Sequence, residues 1–385
     1  MNKPFAESKN TISKKNRMIR HVAYMQSGEN VKLVIRSARR LFAVVLTVNG
    51  KTYPDAFNEA EPYDRLTHVF YIPQRDAKPE TKLKLSYRRT PKHSPVFHRD
   101  FLFGSPVYAT EDDLLRQYDN GLTLQKEEKE EIGGCVSYSH KLYADKNGAP
   151  VHAFVMKFSE EKAHIYVGTP GDGYVSVKAR ATIPDMIDDA VKNGHDIVCG
   201  VNADFFDMFG DGHPSGLCVK NGRTVANENS PRPFIALLKN GSHILTDLHQ
   251  TPGIRESILQ AAAGLQMIVK DGRLYDYAPL EPFGYTRHPR TAAGVTKDGS
   301  VILTVVDGRI PAYSNGASLV DLAKLMLEEG AERAVNLDGG GSSAVYTKKD
   351  GCFSLRSRPA DLVRPNAMLI RKDFNALLIE KNQSP

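Results

Sequence analysis

The sequence predicts an α+β fold, in which an N-terminal β-sandwich module precedes a mixed-sheet α+β domain. Three observations carry this reading. Residues 21–104 hold short β-branched runs and no amphipathic helical pattern. Two well-formed helical patterns appear only later, at 182–194 and 318–330, with strand-like runs between them. The chain has 385 residues, 41% hydrophobic and 25% charged, enough for two domains with separate cores.

In chain order, residues 1–20 carry Lys3, Lys9, Lys14, Lys15, Arg17 and Arg20 against Glu7, which predicts a basic, solvated tail. Val31–Arg36, Phe42–Val48, His68–Ile72 and Lys82–Tyr87 read as strands of the accessory module, and Asn49-Gly50 as a hairpin-type turn. Residues 105–132, with Glu127-Glu128-Lys129-Glu130-Glu131, read as a charged connector with a weak helical pattern. Gly133-Gly134 opens the second domain, which runs to 375 and leaves 376–385 as a tail.

Within that domain, His152–Phe158, Ala163–Val167 and Asp196–Val201 read as strands. Thr182 caps a helix with Pro184 in its first turn; Ile183, Met186, Ile187 and Ala190 form its apolar face, and Gly194 stops it. Strands follow at Ile235–Leu238, Met267–Lys270, Thr291–Thr296 and Val301–Val306. Ser318 with Asp321 makes a capping box for a helix whose face is Leu319, Leu322, Ala323, Met326 and Leu327, ended by Gly330. Met368–Ile370 is the last strand.

The charge balance narrows the function. Fifty-one Lys and Arg against 45 Asp and Glu give +6, much of it in the first twenty residues, and no basic-aromatic stripe points to nucleic acid. No run approaches the eighteen apolar residues that a membrane span needs. The basic N-terminus has no apolar stretch behind it, so no signal peptide is read. Cys135, Cys199, Cys218 and Cys352 form no C-x-x-C pair, which argues against structural zinc and leaves one disulfide open.

The most informative segment is Asn336-Leu337-Asp338-Gly339-Gly340-Gly341-Ser342-Ser343, at a strand end. Three glycines let backbone N–H groups crowd toward an anionic, hydroxyl-rich ligand, although the same run also reads as a flexible turn. No Lys follows the glycines, so it is not a Walker loop, and it lacks the dinucleotide fingerprint. Polar residues also gather past the strand ending at Val201: Asn202, Asp204, Asp207, Asp211 and His213. The three aspartates suit a hard cation such as Ca²⁺, but their spacing matches no EF-hand. Arg290 and Arg309 flank strands near Asp307 and suit bidentate contact with phosphate oxygens, the alternative being surface salt bridges. Ser314-Asn315-Gly316 precedes the second helix, and Arg364-Pro365-Asn366-Ala367 precedes the last strand.

The ordered set Gly-Val-Asn-x-x-Phe-Phe (200–206), Arg-Thr-Ala-x-Gly (290–294), Val-Asp-Gly-Arg (306–309), Ser-x-Gly-x-Ser-Leu (314–319), Asn-Leu-Asp-Gly-Gly-Gly-Ser-Ser (336–343) and Arg-Pro-Asn-Ala (364–367) resembles the phosphodiester glycosidase family over roughly residues 135–372. The resemblance implies a glycosidase-type hydrolase that cleaves a sugar-1-phosphodiester to free sugar and a phosphomonoester, with no required cofactor and a phosphorylated glycan as substrate. Its members usually work outside the cytosol. On that reading Asp338, or else Asp307, serves the anomeric centre. Arg290, Arg309 and the Gly339, Gly340 and Gly341 loop hold the phosphate. Asn202, His213, Ser314, Ser342, Ser343 and Asn366 line the substrate site. Two alternatives stand beside it: a metal-dependent phosphodiesterase using Asp204, Asp207, Asp211 and His213, and a non-catalytic cell-envelope glycan-binding protein working through its β module.

Overall fold

The computed structural model describes residues 19–27, 29–37, 41–56, 67–78, 81–90, 95–102, 119–174, 179–208, 212–226, 230, 232–248, 251, 253–275, 284, 286–364 and 367–383. The chain divides into two units, Met1–Gln117 and Tyr118–Pro385. The predicted basic tail falls almost wholly outside the described residues, as does the first part of the predicted connector.

The described residues of the first unit form seven strands: β1 (Ile19–Ser27), β2 (Asn30–Ser37), β3 (Phe42–Val48), β4 (Lys51–Pro54), β5 (Thr67–Pro73), β6 (Lys82–Arg88) and β7 (Phe97–Leu102). They form a three-stranded sheet, β1-β2-β5, and a four-stranded sheet, β4-β3-β6-β7. Alternate residues of both sheets, among them Leu33, Ile35 and Phe70 from one and Leu46, Leu83 and Leu85 from the other, share one apolar core. Asn49, at φ 48°, and Gly50, at φ 78°, make the predicted tight turn between β3 and β4.

The second unit is built around an eight-stranded sheet. Its order is β19 (Arg273–Leu274), β18 (Gln266–Lys270), β22 (Ala331–Asn336), β20 (Arg290–Thr296), β21 (Val301–Val306), β10 (Pro150–Phe158), β9 (Val136–Ala144) and β8 (Thr123–Ile132). One five-stranded sheet runs β11 (Ala163–Gly168), β27 (Ala376–Lys381), β12 (Ile197–Asn202), β23 (Val345–Lys349) and β24 (Cys352–Leu355). Another runs β14 (Arg223–Ala226), β13 (Cys218–Lys220), β17 (Ile258–Ala263), β15 (Phe234–Leu238) and β16 (His243–Thr246). The short pair β25 (Leu362–Arg364) and β26 (Ala367–Met368) stands apart.

Residue alternation explains the layering. Phe154 and Met156 of β10 and Leu303 and Val305 of β21 enter a central core with Leu377 and Ile379 of β27. The opposite faces, Ala153, Val155, Ile302 and Val306, pack under helix α2 (Leu319–Glu328). Ala376 and Leu378, on the other face of β27, pack with helix α1 (Ile183–Lys192). Both helices carry the predicted capping boxes, Thr182 with Asp185 and Ser318 with Asp321.

Three expectations are corrected. Every described strand pair is antiparallel, where a mixed sheet was expected. The central strands are buried on both faces, so they read as the continuous apolar runs usual in parallel sheets. The charged run assigned to a connector is mostly β8, an edge strand whose exposed Lys and Glu side chains protect an unpaired backbone edge. The predicted tail 376–385 contains β27, whose four apolar residues Ala376–Ile379 are fully buried between β11 and β12.

Candidate active site

The loops singled out in the sequence meet at one edge of the second unit. β12 and β22 end there with the same pattern, Asn202-Ala203-Asp204 and Asn336-Leu337-Asp338. Asp338 N donates to Ala203 O at 2.9 Å, and Asn202 Nδ2 donates to Asp338 O at 2.6 Å, tying the two sheets together. The antiparallel neighbour β20 begins at this edge with Arg290, and β21 ends here before Asp307. Gly340 N donates to Pro289 O at 2.9 Å. Gly308 lies so near that a Cβ on it would be 2.7 Å from Pro289 N and 2.8 Å from Gly316 Cα.

The triglycine loop serves a different purpose from the expected N–H cradle. The N–H groups of Gly339, Gly340, Ser342 and Ser343 donate inward, to Asp338 Oδ1, Pro289 O, Gly339 O and Gly340 O. What the glycines supply is close approach. A Cβ on Gly339 would sit 2.7 Å from Pro289 O, one on Gly340 3.1 Å from the Arg309 guanidinium, and one on Gly341 would overlap the Asp361 carboxylate. Gly340 also has φ 65°. The bare backbone therefore lets a cation and an anion close on the turn from different residues.

Asp338 is the pivot. Its Oδ1 accepts from Gly339 N at 2.9 Å and its Oδ2 accepts from Ser342 Oγ at 2.7 Å. Burial pushes its pKa up to about 6, outweighing the Ser342 and Gly339 hydrogen bonds and the charges of Arg371 and Arg309. Arg309 is exposed and holds a left-handed backbone conformation, φ 61°, which turns its guanidinium back over Gly340. His288 Nδ1 lies 3.5 Å from Arg309 Nη2, and burial with the two arginines pushes this imidazole down to about 4, so it is neutral.

Arg290 takes a different position from the one expected of a phosphate clamp. It is 1% exposed; Nε donates to Ala317 O at 3.1 Å and Nη2 to Thr286 O at 2.9 Å. Burial, then Arg309, pushes it down to about 9, which leaves it cationic at neutral pH. It is a fixed positive charge behind the turn. Asp307 is likewise 1% exposed: its Oδ2 accepts from Tyr313 Oη at 2.9 Å and Arg358 N at 2.8 Å, and burial pushes its pKa up to about 6. It anchors two loops.

Several residues expected to meet a sugar are spent on the interior. Asn202 is fully buried, and its Oδ1 accepts from Thr291 Oγ1 at 2.8 Å. Ser343 is fully buried beside the same Thr291 hydroxyl, and Ser314 Oγ donates to Asp307 O at 2.6 Å. His213 lies in the turn after Phe206, where its carbonyl accepts from Asp207 N. Asn366 and Asp211 lie outside the described residues. The expected cation cluster does not assemble from the rest. Asp204 turns inward onto Ala263 N and Asn375 Nδ2, with burial pushing its pKa up to about 8, whereas Asp207 is exposed. Among the described residues no three His, Cys, Asp or Glu side chains are grouped to hold a metal ion.

Three residues at the site were missed: Asp361, Arg371 and Asp373. Arg371 Nε and Nη2 donate to Asp361 Oδ2 at 3.0 and 2.6 Å, and its Nη1 donates to Ser342 Oγ at 3.2 Å. Asp373 Oδ1 lies 2.8 Å from the same Ser342 Oγ. A signal for this segment existed. The chain contains two near-copies, Asn366-Ala367-Met368-Leu369-Ile370 and Asn375-Ala376-Leu377-Leu378-Ile379. The first copy was read as the functional one, but Asn375 of the second bonds Asp204 and opens the buried strand β27.

Comparison with known proteins fits this edge. Residues 195–378 match the family model for phosphodiester glycosidase. The matched segment lies within the second unit. Mouse N-acetylglucosamine-1-phosphodiester alpha-N-acetylglucosaminidase is 25% identical over 212 residues, covering 51% of this chain and 39% of that protein. The chain thus spans about two-fifths of this relative's length. A Bacillus subtilis SPbeta prophage-derived uncharacterized protein, YomE, is 46% identical over 57 residues, 15% of this chain and 9% of its own. The solved catalytic domain of the zebrafish N-acetylglucosamine-1-phosphodiester alpha-N-acetylglucosaminidase, auto-inhibited by its pro-peptide, shares the fold with a TM-score of 0.53 at 19% identity. It covers 67% of this chain and 89% of that one. Among the described residues no helix is long and apolar enough to cross a membrane.

Proposed function

We propose that this chain hydrolyses the glycosidic bond of a sugar-1-phosphodiester, giving free sugar and a phosphomonoester. The observation that carries the reading is the Arg309 guanidinium folded over Gly340 beside the half-buried carboxylate of Asp338. A phosphate leaving group is already acidic and needs its charge held more than it needs a proton. Arg309 holds that charge at the surface, Arg371 adds a second cation fixed by Asp361, and Arg290 supplies a third from behind the turn. The anomeric carbon gains positive charge as the C–O bond breaks, and Asp338 faces it as nucleophile or as base for water. Above about pH 6 Asp338 is ionised, the form both roles require.

The fitting substrate is a glycan or small sugar joined through its anomeric oxygen to a phosphodiester, with envelope or capsular polymers as plausible sources by analogy. The test is reducing-sugar release from a panel of sugar-1-phosphodiesters, UDP-sugars included. The wild-type chain should release sugar, and Asp338→Asn should lower kcat by about a thousandfold or more. Near wild-type turnover by Asp338→Asn would remove Asp338 from the reaction.

A further inference from the structure

One hydroxyl at the site faces two carboxyl groups. Ser342 Oγ lies 2.7 Å from Asp338 Oδ2 and 2.8 Å from Asp373 Oδ1, and Arg371 Nη1 approaches it at 3.2 Å. A serine hydroxyl has one hydrogen to donate and two lone pairs to accept with. Arg371 can only donate, which takes one lone pair. The hydroxyl hydrogen can reach only one carboxyl, so the other must bring its own proton to the remaining lone pair. Ser342 is 1% exposed and Asp373 2% exposed, which leaves bulk water little access to either contact.

The surroundings decide which carboxyl carries the proton. Asp338 accepts a second hydrogen bond from Gly339 N and has the charges of Arg309 and Arg371 nearby. The Asp373 carboxyl has Ser342 Oγ as its one hydrogen-bond partner among the described residues. Its own backbone is fixed by the paired bonds Asp373 N to Ala181 O, 2.9 Å, and Ala181 N to Asp373 O, 3.1 Å. A buried carboxylate with one neutral partner is the less stable of the two anions. Burial first, then the Asp338 and Asp361 charges, push Asp373 well above the usual carboxylate range against the Ser342 hydrogen bond and the Arg371 charge, in agreement with the contact geometry.

We infer that Asp373 is a neutral, protonated positioning residue that donates to Ser342 Oγ and thereby aims the single serine hydrogen at Asp338. The chain of donors runs from Asp373 Oδ1–H to Ser342 Oγ and from Ser342 Oγ–H to Asp338 Oδ2, with Arg371 as the second donor into the serine oxygen. The arrangement keeps the negative charge on Asp338 and holds that carboxylate in one orientation. The functional part of this inference rests on the assignment of Asp338 to the reaction; the protonation state of Asp373 does not.

Two measurements separate those parts. Infrared difference spectroscopy of the wild-type chain against Asp373→Asn at pH 7.5 should show the loss of one protonated-carboxyl C=O band, with no substrate needed. An unchanged band region, with loss of a carboxylate band instead, would overturn the inference. If Asp373→Asn does not fold, ¹³C-carboxyl NMR of the unsubstituted chain reads the same state, and an Asp373 resonance at the ionised position at pH 7.5 overturns it. In kinetics, Asp373→Leu should lower kcat about tenfold with little change in KM. Asp373→Asn should recover most of that loss, because an amide N–H donates to Ser342 as the acid does, and the acid limb of kcat/KM should stay in place. A downward move of that limb by about one pH unit in Asp373→Asn would mean that a charged Asp373 had been raising Asp338, and would overturn the inference. Loss of the band without turnover of any sugar-1-phosphodiester would leave Asp373 as assigned and refute the function instead.

Discussion

Asn202-Ala203-Asp204 and Asn336-Leu337-Asp338 are the same pattern at the ends of two buried strands, β12 and β22, yet they do opposite things. Asp204 is turned inward onto Ala263 N and the Asn375 carboxamide. Asp338 is turned onto a loop of glycines, where Arg309 and Arg371 approach. The first carboxyl is pushed up to about 8 and the second to about 6. Burial raises both; at Asp338 the Ser342 and Gly339 hydrogen bonds, then the Arg371 and Arg309 charges, offset more of that rise. At neutral pH the first is a protonated staple and the second an anion facing cations. The ionisation of an Asp after a strand is set here by the residues brought beside it.

The comparison breaks most sharply by mutation. Asp338→Asn should remove turnover by three orders of magnitude or more while the melting temperature stays near wild type, measured by reducing-sugar release and thermal unfolding. Asp204→Ala should do the reverse. It strands the Ala263 and Asn375 donors inside the protein, which costs about 2–4 kcal/mol of stability and shows in urea unfolding. Equal kinetic losses in the two variants would erase the distinction.

Gly341→Ala should come next. Its Cβ would overlap the Asp361 carboxylate, so the Asp361–Arg371 pair must move off the turn. A fall in kcat/KM of about 10–100-fold is expected, carried mainly by KM for the phosphodiester. Arg309→Lys sharpens the same point at lower amplitude. A lysine keeps the charge and loses the fork, so KM should rise about tenfold with a smaller change in kcat.

The smallest expected effect is on stability against pH. Asp204 has a folded pKa, about 8, above its unfolded value. The stability it contributes is complete below the unfolded carboxylate pKa and is lost as pH rises through about 8. Asp373 shifts in the same direction. Buried His243 and half-buried His288, pushed down to about 4, work in the other sense, as do His140 and His152, also pushed down by burial, but their contribution is complete above the ordinary histidine range. Between pH 7.5 and 8.5, above the ordinary histidine range, the carboxyls therefore dominate, and stability should fall by up to about 1.4 kcal/mol per pH unit for each proton retained on folding. A flat or rising melting temperature across that window would contradict the protonated assignment of Asp204.

Much of this was legible in the sequence, for identifiable reasons. Both helices announced themselves through capping boxes and apolar faces, and Asp338 and Arg309 stood in motifs that gained their meaning from the ordered set to which they belong. The edge strand β8 was hidden because its alternate residues are nearly all charged, which removes the period-two signal. Strand β27 was hidden by its near-copy nine residues earlier. A sequence also does not show which way a hydroxyl or amide faces. Asn202, Ser314 and Ser343 were read as substrate-binding and are interior ties, whereas Asp361, Arg371 and Asp373 carry no motif and close on the turn only in the fold.

The proposed function requires bond cleavage on the sugar side of the phosphodiester, with Asp338 at the anomeric carbon. Hydrolysis of a sugar-1-phosphodiester in ¹⁸O-water tests it most directly. Label is expected in the released sugar and none in the phosphomonoester; label in the phosphate would show attack at phosphorus and overturn the proposed function.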